Sequence, residues 1–160
     1  MRALVIDGYN AIHKIPYLRR IMDKSLMKAR EEITRLAREY QRKTGGISKV
    51  CVIFDGKDEY KSGVIPGRPC HIFSGTGKGD EEVISAVRRL SAEYDVLVVT
   101  DDNFVRNNSR AYRAQVIGIS KFKEFLEKRQ KREPVKNPGR KLTPQAAIEI
   151  NEDLKRHWGI

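Results

Sequence analysis

Acidic residues stand at several points where an apolar run stops. Ala3-Leu4-Val5-Ile6 ends in Asp7, Val50-Cys51-Val52-Ile53-Phe54 ends in Asp55, and Val96-Leu97-Val98-Val99 is followed by Thr100-Asp101-Asp102. A further group, Asp80-Glu81-Glu82, comes after the short run Cys70-His71-Ile72-Phe73 and a glycine-rich stretch. Carboxylates gathered in one place repel one another unless a cation or raised pKa values relieve them. In a chain of net charge +11, with 32 Lys+Arg against 21 Asp+Glu, such gathering needs a cause. A hard divalent cation held by oxygen ligands supplies one. Mg²⁺ takes one or two carboxylates directly and leaves positions for water and substrate phosphate, and paired ions serve many nucleases. The expected chemistry is phosphodiester hydrolysis, with an acidic pocket for metal and a basic exterior for a polyanion.

Taken singly, each acid has a structural explanation. Asp80 to Glu82 suit the positive end of a helix dipole. Asp55-Gly56 is a common turn pair, and Asp101-Asp102 could cap a following turn. Asp7 is harder to explain this way, because Gly8 already permits the turn. The joint placement at strand ends favours a functional reading.

Other chemistries find little support. Gly75-Thr76-Gly77-Lys78-Gly79 spells neither GxxxxGK[ST] nor GxGxxG, although Lys78 beside the acids could contact a scissile phosphate. A haloacid-dehalogenase-type phosphatase wants an acid two residues after Asp7, where Tyr9 stands. No Ser/His/Asp or Cys/His arrangement is visible at motif level. His13, His71 and His157 are scattered and no CxxC pair exists, so zinc spacing is absent. Cys51 and Cys70 are expected to be reduced core residues.

The acids need a scaffold that brings strand ends together. The apolar runs read as short strands buried on both faces, including a fifth at Gln115 to Ile119. His13 to Leu18 reads as a loop or a short helix broken by Pro16. Ser25 reads as an N-cap before Leu26, Ala29, Ile33, Leu36, Ala37 and Tyr40 at helical spacing, with Gly45-Gly46 as the stop. The opposite face, with Lys28, Arg30, Glu31, Arg35 and Arg38, reads as solvated. Val83, Val87, Leu90 and Tyr94 mark a second long helix. Asn103 to Tyr112 reads as a polar loop or short helix, and Ser120 as the cap of a helix bearing Phe122, Phe125 and Leu126. The order β-α-β-β-α-β-β-α predicts a three-layer α/β/α sandwich around a mostly parallel sheet. In such a sheet the acids would converge at one edge.

A single domain over residues 1–130 is expected, followed by a basic linker and an amphipathic C-terminal helix over residues 131–160. Thr143-Pro144 starts that helix, and Ala147, Ile150, Leu154 and Trp158 form its stripe. Lys57 to Pro69 reads as a long loop. Between Lys121 and Lys141 there are nine basic and three acidic residues, so over half the net charge lies in one segment. A pI near 9.8 fits a nucleic-acid partner. Lys57, Lys61, Arg106 and Arg110, beside the acidic motifs, could hold phosphates. Lys121, Lys136 and Arg140 in the basic segment would add affinity that weakens with salt. No apolar run reaches the roughly 20 residues of a membrane span. The N-terminus shows a strand pattern rather than a signal peptide, so a cytoplasmic location without membrane contact is expected.

Val5-Ile6-Asp7-Gly8-Tyr9-Asn10 resembles the opening motif of the YacP-like NYN domains, a branch of the PIN-like nucleases. The segments Val52-Ile53-Phe54-Asp55, Gly79-Asp80-Glu81-Glu82-Val83 and Val99-Thr100-Asp101-Asp102 match in order, and the resemblance covers roughly residues 1 to 130. It implies a PIN-like fold, one or two Mg²⁺ or Mn²⁺ ions, endoribonuclease activity, and association with ribosomes and mRNA cleavage. Asp7, Asp80 and Asp102 match the family's acidic positions, and Asn10 matches the Asn of the opening motif. Asp55, Glu81, Thr100 and Asp101 are expected as further ligands or as groups that orient the ligands. Asp101 departs from the family, where Ser or Asn is frequent, and leaves open which of Asp101 and Asp102 meets the metal. Gly79 stands where Ala is more usual. PIN-like proteins often dimerise. The rival reading is a non-catalytic RNA- or ribosome-binding module on the same fold, and a third is a small-molecule phosphohydrolase.

Overall fold

Ala3, Leu4, Val5 and Ile6 are all fully buried, yet alternate residues belong to two separate apolar clusters, Leu4 and Ile6 in one, Ala3 and Val5 in the other. A strand apolar on both faces requires helices above and below it. The computed structural model, which describes residues 1–55, 70–74 and 79–130, has that arrangement. Its strands are β1 (Arg2–Asp7), β2 (Ile47–Asp55), β3 (Cys70–Ser74), β4 (Asp95–Val99) and β5 (Gln115–Ile117). Its helices are α1 (Gly8–Lys14), α2 (Pro16–Lys24), α3 (Leu26–Thr44), α4 (Gly79–Leu90), α5 (Asn103–Ala111) and α6 (Ile119–Gln130).

The five strands lie in the order β3-β2-β1-β4-β5, and every pairing is parallel. On one face, Ile12 of α1, Leu18 of α2, Ala29 and Ile33 of α3 and Phe122 of α6 pack against Leu4 and Ile6. On the other, Val83 and Val87 of α4 and Val105 of α5 pack against Ala3 and Val5. The expected α/β/α sandwich is therefore present. From β1 the chain winds outward through β2 and β3, then returns to the other side for β4 and β5. Strand order reverses between β1 and β4, which is where open α/β sheets leave a crevice at their carboxyl edge.

The structure decides two open local readings and corrects others. The segment around Pro16 is helical and broken there, as one of its two readings had it, though it makes two helices. Ile15, the residue before proline, is extended at φ −94° and ψ 111°, and so ends α1. Pro16 then starts α2 at a position where its missing N–H costs nothing. Residues 103–111 form the short helix that was one of the two readings of that segment. The fifth strand stops at Ile117, and Ile119 already begins α6, so Ser120 lies inside that helix. Leu26 is exposed, whereas Arg30 on the supposedly solvated face of α3 is half-buried.

Other local readings match. The Ser25 side chain accepts a hydrogen bond from the Lys28 N–H, and Gly45 ends α3 at φ +69°, a conformation that favours glycine. Ser25→Ala should cost about 1 kcal/mol in chemical denaturation, as loss of a side-chain cap does. Cys51 is a buried thiol. The expected linker and tail helix, the loop Lys57 to Pro69 and the stretch 75–78 lie outside the described residues. No helix among the described residues is long and apolar enough to cross a membrane.

Candidate active site

Register places the acids. Ile6 pairs with Val99 and Asp7 with Ile53, so the residues just after Val99 come level with Asp7 at the crevice between β1 and β4. Asp7 Oδ1 accepts from the Asn10 N–H at 3.4 Å and caps α1, while Oδ2 accepts from the Thr100 hydroxyl at 3.1 Å. Thr100 is fully buried, and its Oγ1 in turn accepts from the Asp102 N–H at 3.1 Å. The Asp101 N–H donates to Asn10 Oδ1 at 2.9 Å. Residues 7–10 and 100–102, far apart in the chain, are thus tied by a closed set of hydrogen bonds. Asn10 and Thr100 lie at the site and orient its backbone.

Gly8 is needed for reasons other than a turn. It sits inside the first turn of α1, and a Cβ there would lie 2.5 Å from the Phe54 ring and 2.7 Å from the Ile53 carbonyl oxygen. Glycine lets α1 start hard against β2. Tyr9 follows, edge-on to Phe54 with ring centroids 5.5 Å apart. Its hydroxyl accepts hydrogen bonds from the Arg30 guanidinium of α3. Neither Tyr9 nor Arg30 stood out in sequence, since the Arg30 position fits the polar face of α3.

The neighbours Asp101 and Asp102 do different work. Asp101 Oδ1 accepts from the Ile119 N–H at 3.0 Å and so caps α6, the role expected of Ser120. Asp102 Oδ1 accepts from the Val105 N–H at 2.9 Å and caps α5. Asp102, not Asp101, is among the charges that act on Asp7. An uncharged cap would serve α6 as well, so Asp101→Asn should leave stability within about 0.5 kcal/mol of the parent by denaturant titration.

The Asp7 carboxyl is pushed from 3.8 to about 6. Burial is the largest cause; the Asn10 N–H and Thr100 hydroxyl oppose it, and the charges of Asp80 and Asp102 add to the rise. Asp80 is exposed in the first turn of α4, beside Glu81 and Glu82, and Glu82 pairs with Arg89 at 3.4 Å. A cleft of about 520 Å³ is lined by Asp7, Asn10, Asp80 and Gly79, with Tyr9 and His13 on its walls. His13 was not singled out in sequence.

Magnitudes separate the structural from the chemical role. An N-cap is worth about 1 kcal/mol and is served equally by uncharged Asn or Ser. Holding an ionised carboxylate two pKa units above its ordinary value costs about 3 kcal/mol. Capping alone does not offset that cost.

The donor set is all oxygen, which suits Mg²⁺ or Mn²⁺ rather than a soft metal. Among the described residues no three acidic, His or Cys side chains form a ready-made metal cage. Asp55 ends β2 beside β1, but its side chain lies outside the described set, as do Lys57, Lys61, Lys78, Lys136 and Arg140. Arg106 is half-buried on α5, while Arg110 and Lys121 are exposed.

Comparison with known proteins agrees with this fold. The chain is similar to the crystal structure of a mutant of Rae1 (YacP) from Bacillus subtilis, at 25% identity and a TM-score of 0.66 over 82% of this chain and 79% of that one. A second crystal structure of Rae1 (YacP) from Bacillus subtilis aligns over 99% of this chain and 93% of that one at 23% identity, with a TM-score of 0.61. No curated protein matches. The model of the YacP-like NYN domain matches residues 4–159, reaching well past residue 130, where the motif resemblance stops. The chain belongs to the YacP-like NYN domain family, a family of PIN-like nucleases.

Proposed function

We propose that this protein is a metal-dependent endoribonuclease acting on ribosome-associated RNA or mRNA in the cytoplasm. The observation that carries the reading is the charge of Asp7. Asp7 is half-buried at the switch point of the sheet, and its carboxyl is raised to about 6, first by burial, with the charges of Asp80 and Asp102 adding to the rise. Asp7, Asp80 and Asp102 would hold one or two Mg²⁺ or Mn²⁺ ions, which when bound would activate water and stabilise charge on the phosphate. Thr100 holds one Asp7 oxygen in place, and Asn10 ties the β4 end to α1. Asp101 and Glu81 are assigned to supporting positions.

The test is cleavage of end-labelled RNA, free and ribosome-bound, with Mg²⁺ or Mn²⁺. Internal cuts are expected with the parent and none with chelator. Losing an outer group around a metal costs 10- to 100-fold, so losing a ligand should cost about 100-fold or more. Asp80→Asn and Asp102→Asn should show such losses, with Asp101→Asn close to the parent. Tight RNA binding by a parent that cuts no substrate would establish the binding-module reading instead.

A further inference from the structure

Several cations of the described domain are held by acids on their own helix, and of those that are not, three gather in one groove. On α3, Arg35 pairs with Glu32 and Glu39, and Lys43 with Glu39; on α6, Lys123 pairs with Glu127 and Lys128 with Glu124. Lys14 at the end of α1 and Arg19 and Arg20 on α2 are exposed, and none of the three forms an ion pair among the described residues. With His13, Pro16 and the single acid Asp23 they line a groove of about 730 Å³. His13 also lines the cleft that contains Asp7 and Asp80, so the basic groove and the acidic cleft share a wall. Ile15 and Leu18, both buried, fix this edge of α1 and α2 to the core.

We propose that this groove carries the phosphate backbone of the RNA strand next to the bond that is cut. The proposal rests on the nuclease reading for what lies in the cleft, but the groove's ligand chemistry is argued independently. Guanidinium groups present fixed donor forks that suit phosphate oxygens. A protein partner would need buried aromatic or aliphatic anchors at its centre, and Pro16 is the single apolar residue in the lining. A sugar–phosphate backbone needs only cations along its path. The strand must then extend past the cleft over α1 and α2. A dinucleotide that fills the cleft alone should be a poor substrate, while an oligomer that reaches Arg19 and Arg20 should be a good one.

The experiment compares Arg19→Ala/Arg20→Ala with Lys123→Ala/Lys128→Ala, which removes the same charge from already paired α6 residues. All four positions are helical, Arg19, Arg20 and Lys128 exposed and Lys123 half-buried, and alanine suits a helix, so both variants should fold. Binding of a fluorescent single-stranded 12-nucleotide RNA is followed against salt in chelator, where no cutting occurs. The α2 variant should lose about 10- to 30-fold in affinity at about 0.1 M salt, and its log–log salt slope should fall by about 1.4, or 0.7 per lost contact. The α6 variant should keep the parental slope. Equal losses in both variants, or an unchanged slope in the α2 variant, overturn the proposal. A groove that docks an acidic protein would take poly-glutamate as tightly as RNA, and that result also overturns it. Loss of binding in the α2 variant alongside a parent that never cleaves removes the nuclease reading and keeps the groove. Cleavage by the parent with binding indifferent to Arg19 and Arg20 does the reverse.

Discussion

Asp7→Asn should abolish RNA cleavage and at the same time make the metal-free protein more stable at neutral and alkaline pH. The two effects share one origin. Folding moves the Asp7 carboxyl from a desolvation-free environment to one where burial and the charges of Asp80 and Asp102 raise it from 3.8 to about 6. The folded state therefore binds a proton more tightly than the unfolded state. The favourable contribution of protonated Asp7 is fully present below about 3.8 and is lost as pH rises through about 6. Above that, the ionised carboxylate costs the fold about 3 kcal/mol relative to a neutral group. Asparagine carries no charge, and its carbonyl oxygen can still accept from the Asn10 N–H. Urea titrations in chelator should show the variant ahead of the parent by up to about 3 kcal/mol at pH 8, with the gap narrowing toward pH 4. Added Mg²⁺ or Mn²⁺ should raise the parent's Tm and leave the variant's unchanged, because only a state that binds the ion gains from it. A variant less stable than the parent at pH 8 would mean that the charge at Asp7 is not strained, and the argument for a cation there would lose its basis.

Gly8→Ala should damage both stability and activity although it adds a single methyl group. The added methyl carbon would sit 2.5 and 2.6 Å from two Phe54 ring atoms and 2.7 Å from the Ile53 carbonyl oxygen. The ring is fully buried against Tyr9, and the carbonyl belongs to a strand hydrogen-bonded in the middle of the sheet. Neither can yield without moving α1 away from β2. Overpacking of this kind costs about 1–3 kcal/mol and occasionally more, and a denaturant midpoint measures it directly. The activity loss should exceed what stability explains. A shift of α1 displaces Asp7 and Asn10 together, and misplacement by about 1 Å near a reacting centre costs on the order of 100-fold. Turnover measured well below the variant's own melting temperature separates the two effects. Full activity in a folded Gly8→Ala protein would show that the start of α1 need not be held where it is.

Periodicity alone was enough for the strands, the long helix from Leu26 to Thr44 and the sandwich they build. Burial on both faces of a strand, or on one face of a helix, is written into residue type at fixed spacing, as in Ala3 to Ile6 or Ala29, Ile33 and Ala37. The opening motif was also legible, since an acid that ends a buried strand is visible in one dimension. Relations set by the meeting of distant elements were not. Asp101 and Asp102 are chemically identical neighbours, and α6 packing near the end of β4 assigns one to Ile119 and leaves the other near Asp7. Gly8 looked like a turn residue because its closeness to Phe54 depends on how α1 leans on β2. Arg30 looked solvated because the spacing of α3 cannot show that Tyr9 stands above it. Arg19 and Arg20 were hidden by a proline that marks a helix start as readily as a loop. Side-chain pattern reports which surface of an element is buried; the angle at which two elements pack decides which polar groups then meet.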